Sequence, residues 1–317
     1  AERELGGYLA FCDGEAGDPA VADLLRFAAI AVLEDVSYTR KDGQYLRWDP
    51  RCGRPGVRGR LDKGRLPSLR EAVVRQLERM ARDLAGAGPR AGALPGTRGR
   101  LDLRQGSCLG LLPRRDSGSV DFVLTSPPYC NRYDYTRTYA LELALLGLTD
   151  AGVKDLRQRM LSCTVENKEK RGQLRAAWEQ AGRAGAFEAV EREFAGHEAL
   201  QEVLGLLEAF RVSGKLNNSN IARMVRNYFY EMCFVVYELA RVLAPGGRAV
   251  MVNDDVRYAG EEVPVDLILS DFAAAFGLRV RHIWTLPRGK GNSSQQMGAH
   301  GRRELRKCVY VWEKPRR

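Results

Sequence analysis

The sequence predicts a mixed α/β fold: a mainly parallel, doubly wound sheet closed by a reversed C-terminal hairpin, with a helical insertion. Three observations carry this. From about residue 99, short apolar runs alternate with segments of helical period, as a parallel sheet with crossover helices requires. Residues 150–211 are rich in Ala, Glu, Leu, Arg and Gln and hold no strand signal, so they read as helices inserted between strands. No helical segment separates the last two strand-like runs, Arg279–Leu286 and Lys307–Glu313. Sequential strands without a crossover pair antiparallel.

The elements follow in order. Residues 20–36 have helical periodicity and a strong apolar face. A polar, aromatic and basic stretch runs over 37–49, and Gly and Arg then dominate to about Leu66, which reads as loop. Residues 68–85 form a second amphipathic helix, and 86–99 are a Gly, Ala, Pro and Arg linker. Arg100–Arg104 reads as a short strand, Ser107–Leu112 as a turn into a helical stub, Val120–Thr125 as a buried strand and Thr138–Leu148 as a helix. Ile221–Leu243 is one long helix, stopped by Ala244-Pro245-Gly246-Gly247. Arg248–Asn253 is a strand and Val265–Phe276 a helix. The expected organisation is therefore a helical and loop segment over 1–99, a first part of the α/β core over 100–149, the insertion over 150–220, and the rest of the core over 221–317.

Composition sets bounds. A chain of 317 residues can bury a large core, and 44% hydrophobic with 28% charged residues is ordinary for a globular protein. No apolar run approaches the roughly 20 residues of a membrane helix. The opening Ala1-Glu2-Arg3-Glu4-Leu5 lacks the basic-then-apolar pattern of a signal peptide. It also lacks an initiator Met, which suggests a processed chain or part of a longer one. The net charge of +10 suits a polyanionic partner. Seven scattered cysteines without a Cys-x-x-Cys pair, beside only three histidines, predict no zinc cluster. An odd cysteine count without a secretion signal predicts reduced thiols and a cytoplasmic location.

The residues with the most chemistry are Ser126-Pro127-Pro128-Tyr129, at the end of the apolar strand. An exocyclic base amine is a poor nucleophile, because its lone pair is delocalised into the ring. Two acceptors that hold its hydrogens can aim that lone pair at a methyl donor; the Ser126 side chain and the Pro127 carbonyl are the candidates. Proline fixes φ and has no N–H, so the loop presents carbonyls rigidly. Tyr129 can stack on the base. The gain would come from positioning and electrostatics, and the base must first leave the duplex. Ligands in such sheets bind at the carboxyl ends of the strands.

Other loops carry candidate nucleic-acid contacts. Asn131, Arg132, Tyr133 and Arg137 mix amide, aromatic and cationic groups just past that turn, as base stacking and phosphate contact need. The loop between the last two strands offers Arg288, Lys290, Asn292, Ser293, Ser294 and Gln295, with glycines that permit close backbone approach. Tyr38, Arg40, Lys41, Arg47 and Trp48 form a similar basic-aromatic group. Asn253-Asp254-Asp255 ends a strand on the same edge as Ser126 and can form a polar wall of a cofactor or base pocket.

Thr125-Ser126-Pro127-Pro128-Tyr129 after an apolar strand resembles the catalytic motif of S-adenosylmethionine-dependent amino-group DNA methyltransferases, and its Ser form resembles the cytosine-N4 branch. Asp or Asn at position 126 would suggest adenine-N6 or glutamine methyltransferases instead. The resemblance extends to Gly106-Ser107-Cys108 with Leu111-Leu112, to Pro245-Gly246-Gly247 with Ala249–Asn253, and to residues 24–49. It implies a Rossmann-like methyltransferase sheet, S-adenosylmethionine as cofactor and DNA as partner. It also implies direct methyl transfer to a flipped base, without a covalent enzyme–base intermediate. Ser107, Cys108, Thr125 and Asn253 would then lie on the cofactor side, although the family often has an acidic residue where Ser107 stands. One departure matters. The family's Phe-x-Gly-x-Gly-type loop, following a strand and opening a helix, is not found in the chain. The expectation is that an upstream segment or a second polypeptide supplies it. An adenine-N6 or RNA amine methyltransferase, and a non-catalytic DNA-binding half of a split enzyme, are the alternatives.

Overall fold

The computed structural model describes residues 2–14, 17–42, 45–57, 61–86, 99–286 and 305–316. In chain order the elements are α1 (Glu2–Gly14), α2 (Pro19–Val36), β1 (Thr39–Asp42), β2 (Tyr45–Trp48), α3 (Leu69–Gly86), α4 (Cys108–Leu111), β3 (Val120–Thr125), α5 (Tyr135–Thr138) and α6 (Ala140–Leu145). Then come α7 (Asp150–Arg159), α8 (Arg171–Gln180), α9 (Ala184–Gly196), α10 (Glu198–Val212), α11 (Ile221–Val242) and β4 (Leu243–Asp254). The last are β5 (Val256–Tyr258), β6 (Glu261–Val263), α12 (Val265–Ala275), β7 (Arg279–Thr285) and β8 (Lys307–Glu313). They fall into two compact units. One is Ala1–Leu103 with Tyr135–Val153, and the other is Arg104–Asp134 with Lys154–Arg317.

In the first unit, α2 starts where the Asp18 side chain accepts the Ala20 N–H and Pro19 presets the first helical φ. Its apolar stripe, Ala28, Val32 and Val36, packs against Leu69, Ala72 and Val73 of α3. The polar stretch after α2 forms an antiparallel hairpin, β1 with β2, that the sequence did not announce. Its charges and rings are mutually engaged: Lys41 pairs with Glu142 and lies over Tyr139, and Arg51 and Arg54 lie over Tyr38 and Trp48.

The second unit is a mixed α/β core around a sheet of order β3-β4-β8-β7. β3 pairs parallel with β4, while β8 lies antiparallel to both β4 and β7. Three strands therefore point one way and β8 alone is reversed. Because β8 sits between two of them, only one of the three pairings is parallel. The expected long helix is α11, most of which is buried, with Arg223 and Arg226 on its exposed side. With α12 it covers one face of the sheet, where Ala249, Met251, Tyr310 and Trp312 are fully buried. The four helices α7 to α10 account for the insertion.

Gly247 marks where β4 leaves the turn beside β3. The β3–β4 register shifts there, and a Cβ at Gly247 would lie 2.8 Å from the Ala244 carbonyl oxygen and 3.0 Å from that of Asp121. Only glycine lets the two backbones approach this closely.

Some sequence expectations change. Arg100–Arg104 is not a strand: it has no regular structure, and Leu101 and Leu103 are exposed. The helix expected over Thr138–Leu148 is interrupted at Tyr139, giving α5 and α6. The hairpin β5–β6 was not foreseen. The linker residues 87–98 and the loop 287–304 lie outside the described residues. Among the described residues no helix is long and apolar enough to cross a membrane.

Candidate functional site

The parallel pairing of β3 and β4 sets the site. Thr125 is in register with Met251, so the loop after β3 and Asn253-Asp254-Asp255 emerge on the same carboxyl edge of the sheet. Ser126 is exposed, Pro127 is buried, and Pro128 and Tyr129 are half-buried. The Ser126 hydroxyl donates to the Tyr129 hydroxyl at 3.1 Å. That uses the Ser126 proton and leaves oxygen lone pairs as acceptors.

The loop is then fixed residue by residue. The Asn131 N–H donates to the Tyr129 carbonyl at 2.7 Å, closing a tight turn. Arg132 takes a left-handed φ of 66°. The Asn131 side-chain oxygen accepts the Tyr133 N–H, and the Arg132 guanidinium reaches Asn217 at 3.1 Å. Three groups hold the loop from behind. The Tyr258 hydroxyl, on the unforeseen hairpin, donates to the Cys130 carbonyl at 2.6 Å. The Cys163 thiol donates to the Tyr133 carbonyl at 3.3 Å, and Arg157 pairs with Asp134 at 3.1 Å.

Below this loop lies a buried polar cluster with no signal in the sequence. The Lys170 ammonium meets both Glu231 oxygens at 2.8 and 2.9 Å and the Ser162 hydroxyl at 2.9 Å. Glu231 also accepts the Ser162 N–H at 2.8 Å. Burial pushes the Glu231 carboxyl above its usual range, against the pull of Lys170. Ser162 precedes Cys163, so the cluster supports the segment that grips Tyr133. Its only trace was Glu231, one of two glutamates in α11, and that reads equally as a helix-surface residue.

The other sequence-selected residues distribute as follows. Asn253 is fully buried, and its amide donates to the Tyr228 hydroxyl at 2.7 Å. Ser107 is the N-cap of the short α4 without a side-chain cap bond. The neighbouring Cys108 thiol is pushed up to about 11, chiefly by burial. Thr125 is the half-buried last residue of β3. Asn131, Arg132 and Tyr133 belong to the loop itself, whereas Arg137 is an exposed residue of the first unit, as are Arg40 and Arg47. Arg288, Lys290, Asn292, Ser293, Ser294 and Gln295 lie outside the described residues.

Cys130 directly follows the motif but is wholly buried, and burial raises its thiol well above the ordinary value. It is not an activated nucleophile. Asp255, Asp266 and Cys308 bring ligand atoms within 4.8 Å of one another. Arg306 already bridges the two carboxylates, at 2.9 and 3.1 Å, so an internal ion pair occupies this corner.

The opposite sheet face has an apolar centre that is partly exposed among the described residues and is flanked by the Arg248–Glu313 and Lys307–Asp254 ion pairs. Leu124, Val250 and Val311 form one row across the strands, and Val252, Val309 and Trp284 form the next. Leu124 is 70% exposed, Phe122 57% and Trp284 54%. The outer edge of β3 has no partner strand among the described residues.

No protein-family model matches the chain. It is 50% identical over 296 residues to the type II methyltransferase M.AvaI of Nostoc sp., covering 93% of this chain and 59% of that protein. It is 43% identical over 305 residues to M.BsoBI of Geobacillus stearothermophilus, covering 92% of this chain and again 59% of the relative. The chain thus has type II methyltransferases among its relatives in sequence and spans 59% of their length. A DNA modification methylase from Thermus thermophilus aligns at 15% identity with a TM-score of 0.29, over 66% of this chain and 51% of that one. That likeness is too slight to argue from.

Proposed function

We propose that this chain carries the base-binding and catalytic side of a site-specific DNA methyltransferase, which moves a methyl group from S-adenosylmethionine to an exocyclic base amine, cytosine N4. One observation carries the reading. An exposed Ser126 hydroxyl, its proton turned to Tyr129, sits in a braced Pro-Pro loop at the carboxyl end of β3, in a chain half-identical to M.AvaI.

The residues divide the work. Ser126 Oγ and the Pro127 carbonyl accept the two amine hydrogens and draw the nitrogen towards a tetrahedral shape. Tyr129 supplies the ring on which the flipped base stacks. A loop fixed from behind by Tyr258, Cys163 and Arg157 presents these acceptors without reorganisation, which is where such sites derive their rate. No group in the loop is suited to attack the ring, so transfer is direct. Asn131, Arg132 and Tyr133 contact DNA beside the extruded base, and Arg137 and the loop 288–295 are further DNA contacts of this reading.

S-adenosylmethionine supplies an electrophilic methyl group. The described residues meet it only in part: none of their strands runs into a paired-glycine turn that opens a helix. Ser107, Cys108 and Thr125 are this chain's contribution to the donor side, and Asn253 acts there through Tyr228. The unpaired edge of β3 and the partly exposed apolar face support completion of the sheet by further polypeptide, which brings the glycine loop as a strand parallel to β3. The sheet so completed is Rossmann-like.

The test is transfer of labelled methyl from S-adenosylmethionine to duplex DNA by the complete protein, followed by nucleoside analysis. The expected product is N4-methylcytosine, lowered about a hundredfold or more by Ser126→Ala. N6-methyladenine would overturn the base assignment. Label only in RNA or protein would overturn the substrate, and a DNA-bound but inactive protein would favour a non-catalytic half.

A further inference from the structure

A second site lies away from the motif, in the helical insertion. A cavity of about 450 Å³ opens between α10 and the start of α11. Three arginines line it: Arg211 near the end of α10, and Arg223 and Arg226 one turn apart on α11. Ser219 and Asn220 add a hydroxyl and an amide. Arg211 forms a two-pronged pair with Glu208, at 2.6 and 2.8 Å. Neither Arg223 nor Arg226 has a carboxylate partner among the described residues. Arg223 donates to the Val165 carbonyl at 3.1 Å, and Arg226 lies over the Phe194 ring at 5.6 Å. The cavity therefore keeps an uncompensated positive charge of about two.

We propose that this cavity binds a backbone phosphate of the DNA that enters the Ser126 site. The inference rests on the methyltransferase reading above and extends its DNA contacts to the insertion.

Three features select this ligand. The guanidinium groups and the polar Ser219 and Asn220 suit phosphate oxygens. No aromatic side chain lines the cavity, so a nucleobase would find no stacking surface there. The location also fits. Asn217, which holds Arg132 of the motif loop, lies two residues before Ser219 on the same turn. At no more than roughly 3.6 Å per residue, the cavity rim begins within about 7 Å along the chain from Asn217. Strand phosphates recur every ~3.4 Å of duplex axis, so a duplex seated at Arg132 has phosphates in reach of the cavity a few nucleotides on. Such a contact fixes register without reading sequence.

The test is salt-dependent binding of the complete protein to a labelled duplex, with methyl transfer measured in parallel. Arg223→Gln combined with Arg226→Gln should lower the slope of log K against log salt by about one to two, uniformly across duplex sequences. Arg226→Lys should keep the slope. Glu208→Gln, which frees Arg211, should tighten binding several-fold, a gain that misfolding cannot imitate. If wild-type protein binds and methylates DNA while the double variant keeps its slope and Glu208→Gln gains nothing, the cavity assignment falls and the function stands. If wild-type protein shows no salt-dependent binding to the duplex, both fall.

Discussion

Lys170 gives the sharpest test of how the motif loop is held. Lys170 and Glu231 are 8% and 1% exposed, and the ammonium is the only cation bonded to that carboxylate among the described residues. Lys170→Met keeps the apolar stem and deletes the charge. Removing one partner of a buried pair costs about 3–5 kcal/mol, because the other charge is left uncompensated. A second route bounds the figure. The stranded carboxyl can always take up a proton; against an ordinary value near 4.3, at about 1.36 kcal/mol per unit, neutrality at pH 7 costs roughly 3.7 kcal/mol. The two routes agree, and the second predicts a pH dependence. Burial already raises Glu231, and losing Lys170 raises it further. A carboxyl whose folded value is raised favours folding below its unfolded value and loses that contribution as pH climbs. The deficit of Lys170→Met should therefore be about 1 kcal/mol near pH 5 and approach its full size by about pH 7. Lys170→Met with Glu231→Gln removes the second charge and keeps an oxygen for the Ser162 N–H, so it should recover most of the loss at every pH. Denaturant unfolding of the three proteins at both pH values measures all of this. The reasoning is refuted if Lys170→Met lies within about 1 kcal/mol of wild type at pH 7, or if the double variant is no more stable than the single.

Two further outcomes follow from backbone contact and titration. Gly247→Ala should destabilise by about 1–3 kcal/mol or more, since the new methyl meets backbone rather than a side chain that can move. Gly172→Ala on α8, with open space around it, is the control and should be neutral or slightly stabilising in the same thermal melts. The Asp255 carboxyl is raised to about 7, first by burial and then by the charge of Asp266, while the Asp266 N–H and Arg306 oppose the rise. Its contribution is complete below about pH 4 and is lost as pH rises through about 7, with a slope of up to about 1.4 kcal/mol per pH unit. Asp255→Asn should remove that slope from the stability–pH curve; identical slopes in the two proteins would contradict the assignment.

What the sequence disclosed follows from which signals are local. The long helix α11 and the strands β3, β7 and β8 were legible because a continuous apolar run or a clear 3.6 period needs no knowledge of neighbours. The motif loop was legible for the same reason: Ser-Pro-Pro-Tyr is contiguous, and its strand fixes which edge it occupies. Thr39–Trp48 and Val256–Val263 were not, because short polar hairpins depend on turn residues and pairing rather than on periodicity. The groups behind the loop were hidden more deeply. Tyr258 meets Cys130 across 128 positions, and Lys170 meets Glu231 across 61, so neither partner marks the other in the chain.

Arg100–Arg104 and β3 show the same physics from opposite sides. Both carry strand-like apolar residues. The first is irregular and exposed, whereas β3 pairs with β4. Yet among the described residues β3 is satisfied on one edge and one face only. Phe122 and Leu124 retain more than half of their exposure, and full burial of such side chains contributes about 1.5–3 kcal/mol each. Covering them would therefore add a few kcal/mol, comparable to a large part of a domain's net stability. Protective edges in natural sheets usually carry lysines, prolines or inward charges. β3 has Asp121 as its one charge, and its central residues are Phe, Val and Leu. A strand with that composition is built for an interior position. The apolar run reads as a buried strand, and the structure corrects this: none of the six residues of β3 is buried, and under the proposed function the exposed Phe122 and Leu124 and the edge without a partner strand among the described residues are where further polypeptide would complete the sheet.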